Sequence, residues 1–485
     1  MKLCSQQVLV HVLTVAASSA IVPCWDPRDA TACLQAALND AAADTVQIPA
    51  HAGSPWITTP LWIRRSNLIV SLEPGVVILA KAGSFHGAND ALLTLSQAVN
   101  VTIEGQELEG TNTAWDPSSP ERSTLMPTLR MRKHDYMTEN YTKAEWRHGI
   151  NIIDGSAQCS VSGIRVDSSG GDGFYVGNAS DIKLARIDST DNYRQGLSVI
   201  DVAGLIVTDS SFRNTNGTGP SSGIDLEPDS KLERLNDVVF SNIWSVNNSG
   251  IGFEVELSNL VGSFTPATLT IHGLHALNST GGGLFVRADA MLRGSITIED
   301  VLIDGTGDQA VHVDAAASEH DHACGLYLGN IFTVAAPRHG GSDPNGESGA
   351  TLSLDNITIR GVSSTSSPIK MDRSWVPAHG CLMSPPSAFI GHPERRQYCA
   401  EGGDFGGLRM TAVHVEDTLQ RPFLNASMEC SWVPSEHTGP GSCGTATLAN
   451  ISGDITVVNP RNCAYSLGGA ATTNWSVSVR CVANG

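Results

Sequence analysis

Apolar residues recur at alternate positions in a series of short segments, each opening on a small residue. Gly149-Ile150-Asn151-Ile152 is followed by Gly173-Phe174-Tyr175-Val176, Gly196-Leu197-Ser198-Val199 and Gly223-Ile224-Asp225-Leu226. Gly252-Phe253-Glu254-Val255 and Gly283-Leu284-Phe285-Val286 keep the register, and Ala310-Val311-His312-Val313 closes it. Successive glycines lie 24, 23, 27, 29 and 31 residues apart. Alternation with period two marks a strand with one buried face. The first and third residues after each glycine are therefore assigned to the core and the second to the outer surface. Further apolar runs lie between these segments, among them Ile182 to Ile187 and Leu269 to Ile271. Repeats of this length, with two or more strands and no helix in each, predict a parallel β-helix with one coil per repeat. A propeller would need four-stranded blades at a longer period.

The ends of the chain agree with a solenoid. Thr31 to Asp40 reads as a helix capped by Asp29 or Thr31, followed by a strand over Thr45 to Pro49. A solenoid needs such a lid, because an open first coil would invite edge pairing. Strand patterns continue at Ala446 to Leu448 and Gly453 to Val458. The expected organisation is a signal peptide over 1–20, then a single all-β, right-handed parallel β-helix over 21–370 with an N-terminal capping helix. A basic insertion occupies about 106–145, and 371–485 holds the final coils and a disulfide-rich C-terminal cap.

Composition narrows the setting. Gly numbers 48 and charged residues make up 16%, a mixture that suits strands joined by tight turns. Lys2, the apolar stretch from Val8 to Ala17, and Ser18-Ser19-Ala20 read as a secretory signal, too short to span a bilayer. Ten Asn-x-Ser/Thr sequons follow, at Asn100, Asn140, Asn178, Asn216, Asn247, Asn278, Asn356, Asn425, Asn450 and Asn474. Together these predict an N-glycosylated protein of the extracellular space or cell wall, with no membrane insertion. Cys24 and Cys33 bracket the first helix and are expected to pair. Cys381, Cys399, Cys430, Cys443, Cys463 and Cys481 crowd the last quarter, while Cys159 and Cys324 stand alone. A formal charge of −19 argues against nucleic acid as a partner.

The N-terminal helix and strand, followed by SGGDGFYVG (169–177), DNYRQGLSVI (191–200) and GTGPSSGIDLEP (217–228), resemble the pectate-lyase-like right-handed β-helix superfamily. The resemblance runs from Trp25 to about Arg360. It implies polysaccharide lyases, glycoside hydrolases, uronate epimerases or non-catalytic adhesins, and fold alone does not choose among them. Where polygalacturonases carry paired aspartates and a Gly-His-Gly, this chain has Gln195-Gly196 and Ser222-Gly223, which puts classical pectin hydrolysis in doubt.

Stacked coils turn distant residues into ladders with rungs ~4.8 Å apart. Asp225 and Glu227 on one rung, with Glu254 and Glu256 on the next, form a grid of four carboxyls. These four cannot all ionise unaided, so either some stay protonated or a cation, calcium being the expectation, sits among them. The alternative is that they face water separately. In calcium-dependent lyases of the superfamily an acidic pair spaced like Asp225 and Glu227, with an amide one coil away like Gln195, holds the ion; the resemblance also points to Lys231 as a base. No organic cofactor is expected. His148, Asp172, Tyr175 and Arg194 line one edge of the same face, with His148 or Tyr175 able to move a proton.

Residues 130–148 are basic and aromatic: Arg130, Arg132, Lys133, Lys143 and Arg147 beside Tyr136, Tyr141 and Trp146. They either grip an anionic glycan or neutralise nearby carboxylates. His312-Val313-Asp314 and Glu319 to His322 are metal ligands by type but lack zinc spacing, so a solvated loop is the expectation. The reading adopted is a monomeric polysaccharide lyase or epimerase acting on an acidic (uronate or sulfated) polymer. Asp225, Glu227, Glu254 and Glu256 would be the metal or acid group. Arg130, Arg132, Arg147, Arg194, Trp146, Gln195 and Glu254 would bind substrate. The alternatives are a glycoside hydrolase using paired carboxylates and a non-catalytic glycan-binding protein.

Overall fold

The computed structural model describes residues 19–482 except 88, 107–115, 120–124, 144, 261–262, 264, 288–293, 307–325, 330–350, 364–366, 373–407, 428–446, 460 and 467–470. The expected signal segment up to residue 18 lies outside the described residues. Ser19–Ile21 pairs in parallel with Thr45–Gln47, so the expected junction at residue 20 falls within a paired strand.

Alternating apolar residues do what their period requires. Phe174–Val176, Leu197–Val199, Ile224–Leu226, Ile251–Glu256 and Gly282–Arg287 are successive parallel strands of one sheet. Their registers run Ile150 to Phe174 to Leu197 to Ile224 to Phe253 to Leu284, as the sequence alignment requires. All these residues are buried, and Phe240 packs edge-on against Phe253 at 4.9 Å. The next rung corrects the alignment. Leu284 pairs with Leu326, not Val311, so Leu326–Gly329 takes the place assigned to Val311 to Val313, which lie outside the described residues. Gly325-Leu326-Tyr327-Leu328 carries the glycine that Ala310-Val311-His312-Val313 lacks.

The aligned glycines have a steric cause. A Cβ at Gly173 would stand 2.7 Å from the Gly196 carbonyl oxygen, and one at Gly196 would stand 2.5 Å from that of Gly223. Each rung meets the next through backbone here, and a side chain would wedge the coils apart.

The second sheet is built of long strands such as Ala179–Thr190, Val202–Arg213 and Leu235–Val246. Each turns a corner without leaving its ladder. Gly163, Arg186, Asp209, Asn242, Gly273, Asp300, Asn356 and Ala412 occupy one position on successive rungs, all with positive φ. Asn and Asp enter this region more readily than most residues because their short polar side chains bond locally. Here they also bond along the stack, Asn242 Nδ2 to Asp209 Oδ1 at 2.8 Å and Asn356 Nδ2 to Asp300 Oδ1 at 2.6 Å. Asn100, Asn178, Asn247, Asn278 and Asn356 are exposed left-handed residues of this kind and are also sequons. Corner geometry therefore accounts for part of the sequon count.

The helix Thr31–Asn39 covers the first coil with Leu34 and Leu38. Asp29 Oδ1 accepts the Thr31 N–H and hydroxyl, and the Lys81 hydrogen bond holds its carboxyl down at about 2. Cys24 pairs with Cys33 as expected, Cys463 pairs with Cys481, and Cys159 is free and buried. Cys324, Cys381, Cys399, Cys430 and Cys443 lie outside the described residues.

Candidate active site

The turn before each short strand aims the site. Asn192 is buried in one such turn, where its Oδ1 accepts the Ser169 N–H at 3.3 Å and its Nδ2 donates to Ser189 Oγ at 2.9 Å. With that turn fixed, Arg194 and Gln195 emerge at the sheet edge. Gln195 Nε2 donates to Asp225 Oδ2, and Gln195 Oε1 accepts from Arg194 Nη1 at 2.9 Å. On the next rung Ser222 Oγ donates to Glu254 Oε2 at 2.7 Å, and beyond it Arg287 Nη1 donates to Glu256 Oε2 at 3.1 Å. Asp225 and Glu254 are register partners, as are Glu256 and Arg287.

Arg194 is the hub. Its side chain is 14% exposed, with guanidinium nitrogens 3.6 Å from Glu145 Oε2, 3.7 Å from Asp172 Oδ2 and 3.6 Å from Glu227 Oε2. Burial opposes its charge, but Asp172, Asp225, Glu145 and Glu227 outweigh that and strengthen it. Asp172 is fixed from two sides, since its Oδ1 accepts the Gln195 N–H at 3.1 Å and its own N–H donates to His148 Nδ1 at 3.0 Å.

Burial dominates the electrostatics. It pushes Asp225 well above the carboxylate range, helped by Glu254 and Glu227 and by a hydrogen bond to Glu227. Glu254 rises to about 8 and Asp172 to about 7, each chiefly through burial, with Arg194 pulling Asp172 back. Glu227 is raised by burial against the pull of Arg194 and the Asp225 hydrogen bond, and at 35% side-chain exposure it is the accessible member of the pair. Burial therefore favours the neutral form of both carboxyls, more strongly for the fully buried Asp225. Burial, then Arg194, lowers His148 to about 3. The 3.3 Å contact of its Nδ1 with Asp172 Oδ2 is thus no ion pair. That nitrogen already accepts the Asp172 N–H, and Asp172 Oδ2 has no hydrogen-bond partner among the described residues. Tyr175 stacks on His148 at 4.9 Å, and burial followed by Asp229 pushes its hydroxyl up to about 12.

The basic segment corrects the expectation of a substrate grip. Arg147 is fully buried: its Nε donates to the Phe85 carbonyl at 2.6 Å and its Nη1 to that of Thr142 at 2.9 Å, and its guanidinium sits by the rings of Tyr136 and Tyr141. Arg132 Nε donates to the Ala80 carbonyl at 2.7 Å, and Lys133 bonds Asp191 at 2.8 Å. Arg130 pairs with Asp167 at 2.7 Å on the long-strand sheet, a different sheet from that of Asp225. Arg147, with its donors turned into the fold, has none facing a ligand, whereas Arg130 and Arg132 are each held through Nε and stay partly exposed. Trp146, 48% exposed, and exposed Lys231 keep their accessibility.

Among the described residues no three His, Cys, Asp or Glu side chains converge to hold a metal ion, and the Arg194 guanidinium stands between the carboxyls instead. His312, Asp314 and Glu319 to His322 lie outside the described residues.

Three features escaped the sequence reading. Glu145 reaches Arg194 from another coil, a proximity no local motif announces. Leu232 is 85% exposed on the loop after Glu227, a loop whose Asp229 and Glu233 act on the Tyr175 hydroxyl. Thr94 Oγ1, Asn151 Oδ1, Ser198 Oγ and Asp225 Oδ1, along one outward column, are buried with no hydrogen-bond partner among the described residues.

A family model described as a right-handed β-helix region matches residues 131–320. The fold is the right-handed β-helix. The resemblance to pectate-lyase-like proteins therefore holds at the level of fold. The A-module of the mannuronan C-5 epimerase AlgE6 from Azotobacter vinelandii superposes on this β-helix with a TM-score of 0.51 at 12% identity, over 93% of this chain and 94% of that one. The alginate lyase of Paenibacillus sp. str. FPU-7 gives 0.41 at 11% identity, over 94% and 99%. The endo-xylogalacturonan hydrolase of Aspergillus tubingensis gives 0.37 at 9%, over 96% and 100%. No curated protein matches the β-helix sequence. Among its described residues no helix is long and apolar enough to cross a membrane.

Proposed function

We propose that the protein is a secreted, N-glycosylated glycoside hydrolase acting on a polysaccharide of low negative charge. The observation that carries this is that buried Asp225 neighbours accessible Glu227 beside Arg194. Glu227 would deliver a proton to the leaving oxygen as the glycosidic bond breaks, burial favouring its protonated form. Glu145, an exposed carboxylate across the guanidinium, is placed to take a proton from the attacking water. Glu145 and Glu227 each lie 3.6 Å from one guanidinium, which leaves room for the carboxyl spacing of inverting enzymes, about 6.5–9.5 Å. The charge of the site favours this over the lyase reading: Arg194 and Arg287 already face carboxylates, and the basic segment is committed elsewhere.

A second reading, proton abstraction at C5 of a uronate, draws on the stack of Tyr175 on neutral His148 and on the fold shared with a mannuronan C-5 epimerase. Incubation with a panel of neutral and acidic glycans separates them. New reducing ends without ultraviolet absorbance support hydrolysis. Absorbance from an unsaturated uronate supports elimination, and an inverted C5 centre in the polymer supports epimerisation. Binding with none of these supports a non-catalytic protein.

A further inference from the structure

We propose that Arg194 is a built-in cation that does for this carboxyl cluster what a bound divalent ion does in a metal site, making the site metal-independent. Six carboxyls gather here, namely Glu145, Asp172, Asp225, Glu227, Glu254 and Glu256, a density of potential charge that is unfavourable when buried unless something positive stands inside it. The guanidinium is that positive group. It lies within 4 Å of Glu145, Asp172 and Glu227, which come from three different coils, and Gln195 Oε1 fixes its orientation at 2.9 Å. Its field also reaches Asp225 and Glu254. A divalent ion would need at least three of these oxygens turned onto one point, and among the described residues none converge. The planar fork instead spreads its donors toward carboxyls on different sides, a shape suited to several partners at once. The side chain is anchored on Asn192's turn and backed by Asp172, so its position is part of the coil.

The proposal rests on the geometry of the site read above but not on the reaction assigned to it. Its test therefore reads thermal stability, and its failure leaves the hydrolase reading standing. The full-length protein is melted with a chelator and with millimolar calcium chloride, as wild type, Arg194→Gln and Arg194→Lys. The wild-type midpoint is expected to be the same in both. Arg194→Gln, left with unopposed carboxyls, should melt about 5 °C lower in chelator. It should recover most of that loss in calcium, because the vacated position then accepts the ion. Arg194→Lys keeps the charge but loses the fork, and should melt between wild type and Arg194→Gln and stay indifferent to calcium. A wild type that loses stability on chelation overturns the proposal. So does an Arg194→Gln protein as stable as wild type, or one destabilised and deaf to calcium. Should Arg194→Gln fail to fold, an Arg194→Lys protein that falls as far or responds to calcium overturns it equally.

Discussion

Removing the Arg147 guanidinium separates a structural role from a ligand-binding one. Two short hydrogen bonds, at 2.6 and 2.9 Å to the Phe85 and Thr142 carbonyls, come from a charged donor in a buried site. Bonds of this kind contribute about 1.5–3 kcal/mol each, and leaving their acceptors bare has a similar cost. Two aromatic rings with centroids 5.5 and 5.6 Å from the guanidinium carbon add about 1 kcal/mol. Desolvating the cation offsets part of this, which leaves a net loss near 4 kcal/mol for Arg147→Ala. For a chain of this length that is a fall in melting temperature of roughly 4–8 °C. Arg147→Lys should recover little, since an ammonium cannot reach both carbonyls in one plane. The assay is a pair of measurements, a thermal melt and a Michaelis constant taken well below the melt. The expected result is a lower midpoint with KM unchanged. A normal midpoint with a raised KM would refute the reasoning and return the basic segment to substrate binding.

Stability should fall as pH rises through neutrality. Glu254 titrates at about 8 in the fold against an ordinary 4.5, and Asp172 at about 7 against 3.8. A raised folded pKa gives stability that is complete below the ordinary value and lost as pH climbs through the folded one. Glu254→Gln should flatten that slope between about pH 5 and 8, as read by denaturant midpoints, and an unchanged slope would discount the burial. Glu227→Gln should lower kcat on the best substrate by 10²-fold or more with little change in midpoint, the range removed with a general acid. Gly196→Ala should cut soluble yield or melting temperature sharply, because its Cβ would stand 2.5 Å from a carbonyl oxygen of the next rung. A silent Gly196→Ala would mean that the coils can spread.

The coil register was legible because one glycine, two apolar positions and a turn repeat together, and a side chain of the wrong parity would have to leave the core. The same logic explains the error at Val311: with Ala310 in the glycine place, the pattern there was weaker than at Gly325, 15 residues on. The carboxyl ladder was legible as a set of neighbours, since register alone places Asp225 beside Glu254. Its counter-charge was not. Arg194 reads as an edge residue beside Asp172, but that the fold brings Glu145 and Glu227 around it as well depends on side-chain direction. The basic segment misled for a related reason, because sequence counts charges but does not show that backbone carbonyls already wait for Arg132 and Arg147 and a carboxylate for Arg130.

Val101–Gly105 and Thr128–Arg130 both lie against Ser160–Asp167, the first through Thr102 and Ser160, the second through Thr128 and Arg165. Three successive rungs of the long sheet are split at this corner, the last of them next to Gly105 and Gly163, whereas Ser160–Asp167 and the long strands after it cross the corner in one piece. Extra chain can be spliced in at such a corner without moving any core residue by even one place. For an evolving lineage this is an inexpensive site of innovation, where length is gained at the rim and the stack never learns of it. For protein engineers it marks an address: a binding loop or reporter grafted between Gly105 and Thr128 should leave the coil register intact, whereas the same graft between Gly196 and Gly223 would have to pass through the carboxyl cluster.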